Sequence, residues 1–151
     1  MVQIQGKHLT IEEVIHVARG QVHAGLSDEG RAAVEKSRST LEELFATNRP
    51  VYGINTGFGI FAEKRIPPED SARLSRNLIL SHAVGCGQPL DDEVVRAAML
   101  VRANTLSKGF SGVRVEVIET LLEMLNRKVT PLVPSQGSLG SSGDLCPLSH
   151  M

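Results

Sequence analysis

Residues 137–151 read Gly-Ser-Leu-Gly-Ser-Ser-Gly-Asp-Leu-Cys-Pro-Leu-Ser-His-Met, a glycine- and serine-rich loop that passes directly into an apolar run. A second glycine-rich loop, residues 52–59, reads Tyr-Gly-Ile-Asn-Thr-Gly-Phe-Gly. These two loops carry six of the 14 glycines in the chain. Loops held by a rigid frame are common positions for binding and catalytic residues. The rest of the sequence predicts such a frame.

Helical periodicity dominates the chain outside these loops. Thr10 and Glu13 have the spacing of a capping box, and apolar residues follow at helical spacing as far as Gly20. Further helices are predicted from Ser27 to about residue 47, from Pro67 to about residue 83, from Asp91 to about residue 106, and from Ser111 to about residue 125. Alternation of apolar and polar residues never extends convincingly over more than about four positions, so any strand is short and peripheral. The predicted fold class is mainly α.

Composition excludes several functional classes. The 151 residues carry a net charge of −1, with four phenylalanines and one tyrosine, which argues against nucleic acid as a partner. The sequence has neither an apolar run of the roughly 20 residues that span a bilayer nor the apolar core of a signal peptide, so no membrane partner and a cytoplasmic location are predicted. Cys86 and Cys146 do not form a Cys-x-x-Cys pair, and the five histidines show no i, i+4 pairing. No metal site is therefore predicted.

The loop at residues 137–144 does not match two familiar catalytic loops. It lacks the Gly-Lys-Ser/Thr ending of a phosphate-binding loop, and no strong strand precedes it. A serine-hydrolase elbow needs Gly-x-Ser-x-Gly, but Asp144 occupies the position of the last glycine. Both readings are rejected.

The triplet Ser141-Ser142-Gly143 suits a different chemistry. If the backbone nitrogen of Gly143 attacks the carbonyl carbon of Ser141, a five-membered ring closes and that oxygen leaves as water. Elimination of the Ser142 hydroxyl as a second water leaves an exocyclic methylene. Glycine is needed because a side chain would block so compressed a turn, and the first residue lends only its carbonyl. The predicted product is an electrophile made from the chain itself.

These residues resemble the signature of the histidine and aromatic amino-acid ammonia-lyase family. Residues 51–59 are similar to the tyrosine loop of that family, residues 77–87 to its substrate-selectivity helix, and residues 104–112 match as well. The resemblance implies the N-terminal part of a helical-bundle fold and a homotetramer of the full-length protein. It also implies a 4-methylidene-imidazol-5-one group (MIO) formed from Ser141, Ser142 and Gly143, with no diffusible cofactor. Ser141 stands where the family usually has alanine.

The resemblance also assigns roles to individual residues. Tyr52 matches the catalytic tyrosine, although a lone tyrosine before a glycine is otherwise more often a loop anchor. The pair Ser81-His82 is the one carried by members that act on histidine, and His82 would bind the substrate imidazole; an isolated histidine would otherwise be read as a surface or core residue. Asp144 is expected to position the loop, and it also suits the N-cap of the next helix.

The reaction implied for the complete protein is elimination of ammonia from L-histidine to give trans-urocanate, the first step of histidine degradation. Residues 1–110 are expected to form an N-terminal globular helical domain, and residues 111–151 the start of the central bundle. The abrupt end suggests a truncated chain, which by itself is expected to be inactive. Two alternatives stay open: a phenylalanine or tyrosine ammonia-lyase or aminomutase of the same family, and a non-catalytic helical fragment.

Overall fold

The computed structural model describes residues 1–47, 49–140 and 144–151. Six α-helices lie in these ranges: α1 (Ile11–Ala18), α2 (Asp28–Ala46), α3 (Pro68–His82), α4 (Asp92–Leu106), α5 (Val115–Asn126) and α6 (Leu145–His150). The strands in the same ranges are short: β1 (Val2–Ile4), β2 (Ala24–Leu26), β3 (Cys86–Pro89) and β4 (Pro134–Gln136). The prediction of a mainly α chain with short strands is confirmed.

The chain divides into two compact units. The first comprises Met1–Glu42, Pro89–Val133 and Met151, and the second comprises Glu43–Gln88 and Pro134–His150. The predicted division of the protein at residue 110 concerns the domains of the complete molecule and stays a prediction.

The core of the first unit is built on α4, which packs against α1 and α5. Met99, Leu100 and Ala103 of α4 and Ile118 of α5 are completely buried. Strands β1 and β2 pair in parallel, with Val2 opposite Ala24 and Ile4 opposite Leu26. Apolar burial on this scale is the main source of stability of such a unit.

Replacing Leu100 by alanine is expected to lower the free energy of unfolding by about 2–5 kcal/mol, because the cavity left in a closely packed core is only partly refilled. Leu100 is completely buried, whereas the next residue on the helix, Val101, is 49% exposed. Val101→Ala is the matched control and should change the value by less than about 0.5 kcal/mol. Urea unfolding followed by circular dichroism measures both; equal losses would contradict this account of the core.

A buried arginine joins two helix ends in the same unit. Arg96 is only 6% exposed, and its guanidinium donates to the carbonyl oxygens of Ala18 at 2.6 Å and Leu125 at 3.0 Å. The last carbonyls of a helix have no partner within the helix and carry partial negative charge, so a cation placed there stabilises both α1 and α5.

The predicted helix starts agree with the structure in most cases. The Thr10 hydroxyl and the Glu13 carboxylate form the predicted capping box of α1. At α2, the backbone N–H of Gly30 donates to the Ser27 hydroxyl at 3.0 Å. Helix α3 begins at Pro68, directly after Pro67, as the two prolines predict.

The predicted start of α5 is wrong. The helix begins at Val115 with Arg114 in the cap position, and Ser111 does not cap it. The intervening Gly112 has φ +61° and lies against Leu41, and its N–H donates to the Ser37 hydroxyl at 3.0 Å. The segment before α5 is therefore held against α2 by tertiary contacts instead of winding into the first helical turn.

The second unit contains α3, α6 and the paired strands β3 and β4. Helix α6 packs against both α3 and β4. In the described ranges, no helix combines the length and the apolar character that crossing a bilayer requires.

Candidate active site

Every predicted site residue that the structure describes lies in the second unit: Tyr52, Ser81, His82 and Asp144. The remaining three predicted residues, Ser141, Ser142 and Gly143, lie outside the described residues.

The loop that carries Tyr52 is held from within by a buried asparagine. The Asn55 side chain accepts a hydrogen bond from the Val51 N–H at 2.7 Å and donates one to the Arg49 carbonyl at 2.8 Å. The backbone carbonyl of Asn55 accepts a hydrogen bond from the Ile66 N–H at 2.8 Å, which ties the loop to the segment before α3. A buried amide with both ends satisfied favours a single loop conformation.

Tyr52 itself is 63% exposed, so the loop presents the phenol instead of burying it. Its ring packs edge-on against Phe58, with 5.9 Å between ring centroids. The phenol oxygen accepts a long hydrogen bond of 3.5 Å from the Gly59 N–H. That contact leaves the hydroxyl proton available, so the side chain is able to exchange a proton with a bound molecule.

Ser81 and His82 are the last two residues of α3. The Nδ1 of His82 lies 2.8 Å from the Leu78 carbonyl oxygen and 3.0 Å from the Ser81 hydroxyl. A carbonyl only accepts, so Nδ1 carries the proton in this geometry and the Nε2 of the neutral ring is an acceptor. The Ser81 hydroxyl also donates to the Leu78 carbonyl, at 2.8 Å. The end of α3 therefore orients the imidazole of His82 through its Nδ1.

The glycine-rich loop before α6 is tied across its base. The Ser138 hydroxyl is hydrogen-bonded to the Asp144 carboxylate and accepts the Gly140 N–H at 3.2 Å. Gly140 and Asp144 flank the triplet and both have positive φ, +69° and +56°. Asp144 is not a glycine, so its left-handed conformation is a strained one that the surrounding contacts maintain.

The two roles suggested for Asp144 use different parts of the residue. Its backbone carbonyl accepts the Leu148 N–H at 3.2 Å in the first turn of α6, whereas its carboxylate meets Ser138. The side chain therefore faces back toward the loop, which is the direction that a loop-positioning role requires.

Sequence reasoning missed two residues at the junction of α3 and α6. The backbone N–H of Gly85 donates to the Nε2 of His150 at 3.0 Å. His150 looked like an unpaired histidine, and Gly85 like the end signal of a helix. No periodicity connects positions 65 residues apart, so only the folded structure shows the contact. Among the described residues, no cluster of three or more His, Cys, Asp or Glu side chains is placed to hold a metal ion.

Comparison with known proteins gives the class to which this arrangement belongs. Residues 9–151 match the family model described as aromatic amino acid lyase. The chain therefore belongs to the aromatic amino acid lyase family. Membership of this family supports, in general terms, a prosthetic group derived from the chain itself.

Individual relatives narrow the likeness. The chain is 52% identical over 151 residues to histidine ammonia-lyase of Bacillus subtilis, covering 100% of this chain and 30% of that protein. Among solved structures it is similar to tyrosine aminomutase from Streptomyces globisporus (TM-score 0.92, 38% identity, 99% of this chain and 28% of that one). It is also similar to histidine ammonia-lyase from Trypanosoma cruzi (TM-score 0.88, 35% identity, 99% and 29%). The chain thus spans about 30% of the length of the curated relatives it matches.

Proposed function

We propose that the complete protein is a histidine ammonia-lyase, which eliminates ammonia from L-histidine to give trans-urocanate. The observation that carries this proposal is the Ser81-His82 pair at the end of α3, in which the Nδ1 of His82 is hydrogen-bonded to the Leu78 carbonyl. The 52% identity to the Bacillus subtilis enzyme supports the same substrate. Backbone similarity does not separate the substrates, because the aminomutase superimposes as well as the histidine enzyme.

His82 discriminates between substrates by hydrogen bonding. With Nδ1 bonded to the Leu78 carbonyl, the Nε2 of the neutral ring is left to accept, and the imidazole of histidine offers a ring N–H to it, whereas the ring of phenylalanine offers no donor. A site built around a buried polar partner rejects an analogue that leaves the partner unpaired. His82 is half-buried already in the second unit, so it loses part of its hydration before any substrate arrives.

Tyr52 is assigned the proton transfer next to the substrate amine. The Gly59 N–H and the edge contact with Phe58 hold the ring and leave the hydroxyl exposed. A positioned hydroxyl that both accepts and donates is able to serve as acid or base within one turnover.

The triplet and its described neighbours suit the prosthetic group. Ser141 contributes a carbonyl, Ser142 a hydroxyl, and Gly143 a backbone nitrogen without a side chain. The neighbouring Gly140 and Asp144 both turn in the left-handed region, and the Ser138–Asp144 hydrogen bond ties the loop ends together. The group supplies an electrophilic carbon that makes the substrate amine a better leaving group. This chain's own task is to hold the residues on either side of the triplet in place, which helps to offset the poor nucleophilicity of a peptide nitrogen.

A product assay tests the substrate assignment. Full-length protein given L-histidine, L-phenylalanine or L-tyrosine separately is expected to form urocanate with a kcat/KM at least about 100-fold above that for cinnamate formation, and above that for coumarate formation. His82→Leu should reduce this preference by at least about tenfold, because the acceptor is lost. Preferential release of cinnamate or coumarate, or formation of a β-amino acid, would instead establish one of the sibling activities.

We also propose four further features of the complete protein. It forms a homotetramer, lies in the cytoplasm, acts at the start of histidine degradation, and has a domain boundary near residue 110. Sedimentation of the full-length protein tests the first of these.

A further inference from the structure

A hydrogen bond links the segment that follows α3 to the end of α6. The N–H of Gly85 donates to the Nε2 of His150 at 3.0 Å. Since Nε2 accepts this bond, the imidazole is neutral with its proton on Nδ1; a protonated ring would have a donor at both nitrogens and could not accept.

The backbone at Gly85 lies close to two side chains. A β-carbon at this position would lie 2.9 Å from the Nε2 of His150 and 3.0 Å from ring carbons of Pro134. The first distance is shorter than real β-carbon contacts and the second is tighter than most of them, so glycine is what lets the backbone come this close to the imidazole. The imidazole and the proline ring therefore fix where the chain passes after α3.

Three successive backbone N–H groups in the segment after α3 donate hydrogen bonds. The N–H of Ala83 donates to the Ile79 carbonyl at 2.8 Å, and that of Val84 donates to the His82 carbonyl, also at 2.8 Å. The third is Gly85, which uses His150. Each backbone N–H from Ala83 to Gly85 thus has a partner, and the far end of this short segment is held by His150.

The other side of the junction is the base of the glycine-rich loop. A β-carbon at Gly137 would collide with the sulfur of Cys146 and lie 3.3 Å from the Cα of Gly85. The loop therefore starts in contact with both Gly85 and α6. Helix α6 begins at Leu145, separated from the triplet by Asp144 alone, and ends at His150.

We propose that His150 is a positioning residue, which through its neutral Nδ1–H tautomer sets the placement of His82 relative to Gly137, where the glycine-rich loop begins. The inference rests on the proposed function for the roles of His82 and the loop. A displacement of about 1 Å between reacting groups costs up to about 100-fold in rate, so a link of this kind has a measurable effect.

A purely space-filling role of His150 predicts different effects of substitution from a hydrogen-bonding role. If His150 only filled space, leucine would replace it well. If the accepting atom matters, glutamine should replace it better, because its side-chain oxygen reaches about as far as Nε2, whereas the shorter asparagine places its oxygen near Nδ1. The three variants therefore separate the accepting atom from the volume of the ring.

The test compares His150→Gln, His150→Asn and His150→Leu in the full-length protein. We expect kcat/KM for L-histidine to fall about 10- to 100-fold in the leucine and asparagine variants and less than about threefold in the glutamine variant. With His82→Leu already present, His150→Leu should lower kcat/KM by less than about threefold further, because the two residues act through one element. Equal loss in all three variants, no loss in any, or full additivity with His82→Leu would overturn the proposal.

A second measurement does not depend on turnover. In a Ser142→Ala background, calorimetry should show L-histidine binding weakened about tenfold by His150→Leu and unchanged by His150→Gln; equal binding in both would also overturn the proposal. If the parent protein acts on a different amino acid, the proposed function fails, and the same variants tested with that amino acid still decide whether His150 positions the end of α3.

Discussion

Replacing Ser142 by alanine is expected to lower turnover of L-histidine by at least about 10,000-fold, since most of the rate enhancement of such an enzyme depends on its electrophile. Alanine has no hydroxyl to eliminate, so the exocyclic methylene cannot form. The measurement is urocanate formation by the full-length variant, together with its intact mass. The variant should lack the loss of about 36 Da, two water molecules, expected of the parent chain.

Ser141→Ala is the matched control for this experiment. The first residue of the triplet contributes only its carbonyl to the ring, so this variant should keep both the mass loss and a rate within about threefold of the parent. Urocanate formation by Ser142→Ala within tenfold of the parent would contradict the assignment of the triplet. So would an unmodified parent chain that turns over histidine at full rate.

Tyr52→Phe is expected to reduce kcat by about 100- to 10,000-fold, the usual range for loss of a positioned acid or base. Phenylalanine keeps the edge contact with Phe58 and removes only the hydroxyl, so the loop held by Asn55 should stay folded. Steady-state kinetics measures the effect, and intact mass checks that the 36 Da loss persists.

The control for the tyrosine is a change of similar size at an exposed neighbour. Phe61 is 55% exposed and lies in the same loop region, and Phe61→Leu should leave kcat within about threefold. If Tyr52→Phe retained more than a third of the parent rate, the hydroxyl would have no part in proton transfer and Tyr52 would be a loop anchor.

Local signals were sufficient to predict most helices. The capping box at Thr10, the serine cap at Ser27 and the paired prolines before α3 act within one turn, so the sequence displays them directly. The start of α5 could not be predicted in that way. Gly112 is held by Ser37 and Leu41, which lie more than 70 residues earlier, and no local pattern reports such a contact.

For the candidate site, too, the sequence predicted some features and the tertiary structure decided others. Its residue types were read from short motifs, because the chemistry of a triplet or of a Ser-His pair resides in adjacent side chains. The orientation of His82 was not readable, since it depends on a bond to Leu78 that exists only when α3 is formed. The burial of Arg96 and its hydrogen bonds to two helix ends could not be predicted either, because the helix that carries it has an ordinary amphipathic pattern.

By itself, the sequence determined the mainly α class, the family to which the chain belongs, and the residues proposed to act on substrate, because each of these depends on neighbours along the chain. Only the tertiary structure decided that the Nδ1 of His82 meets the Leu78 carbonyl, that Ser138 faces Asp144, and that His150 binds Gly85. A hydrogen bond between residues 65 positions apart depends on how helices pack. Packing is settled by the burial of the whole apolar surface and not by any one stretch of the chain.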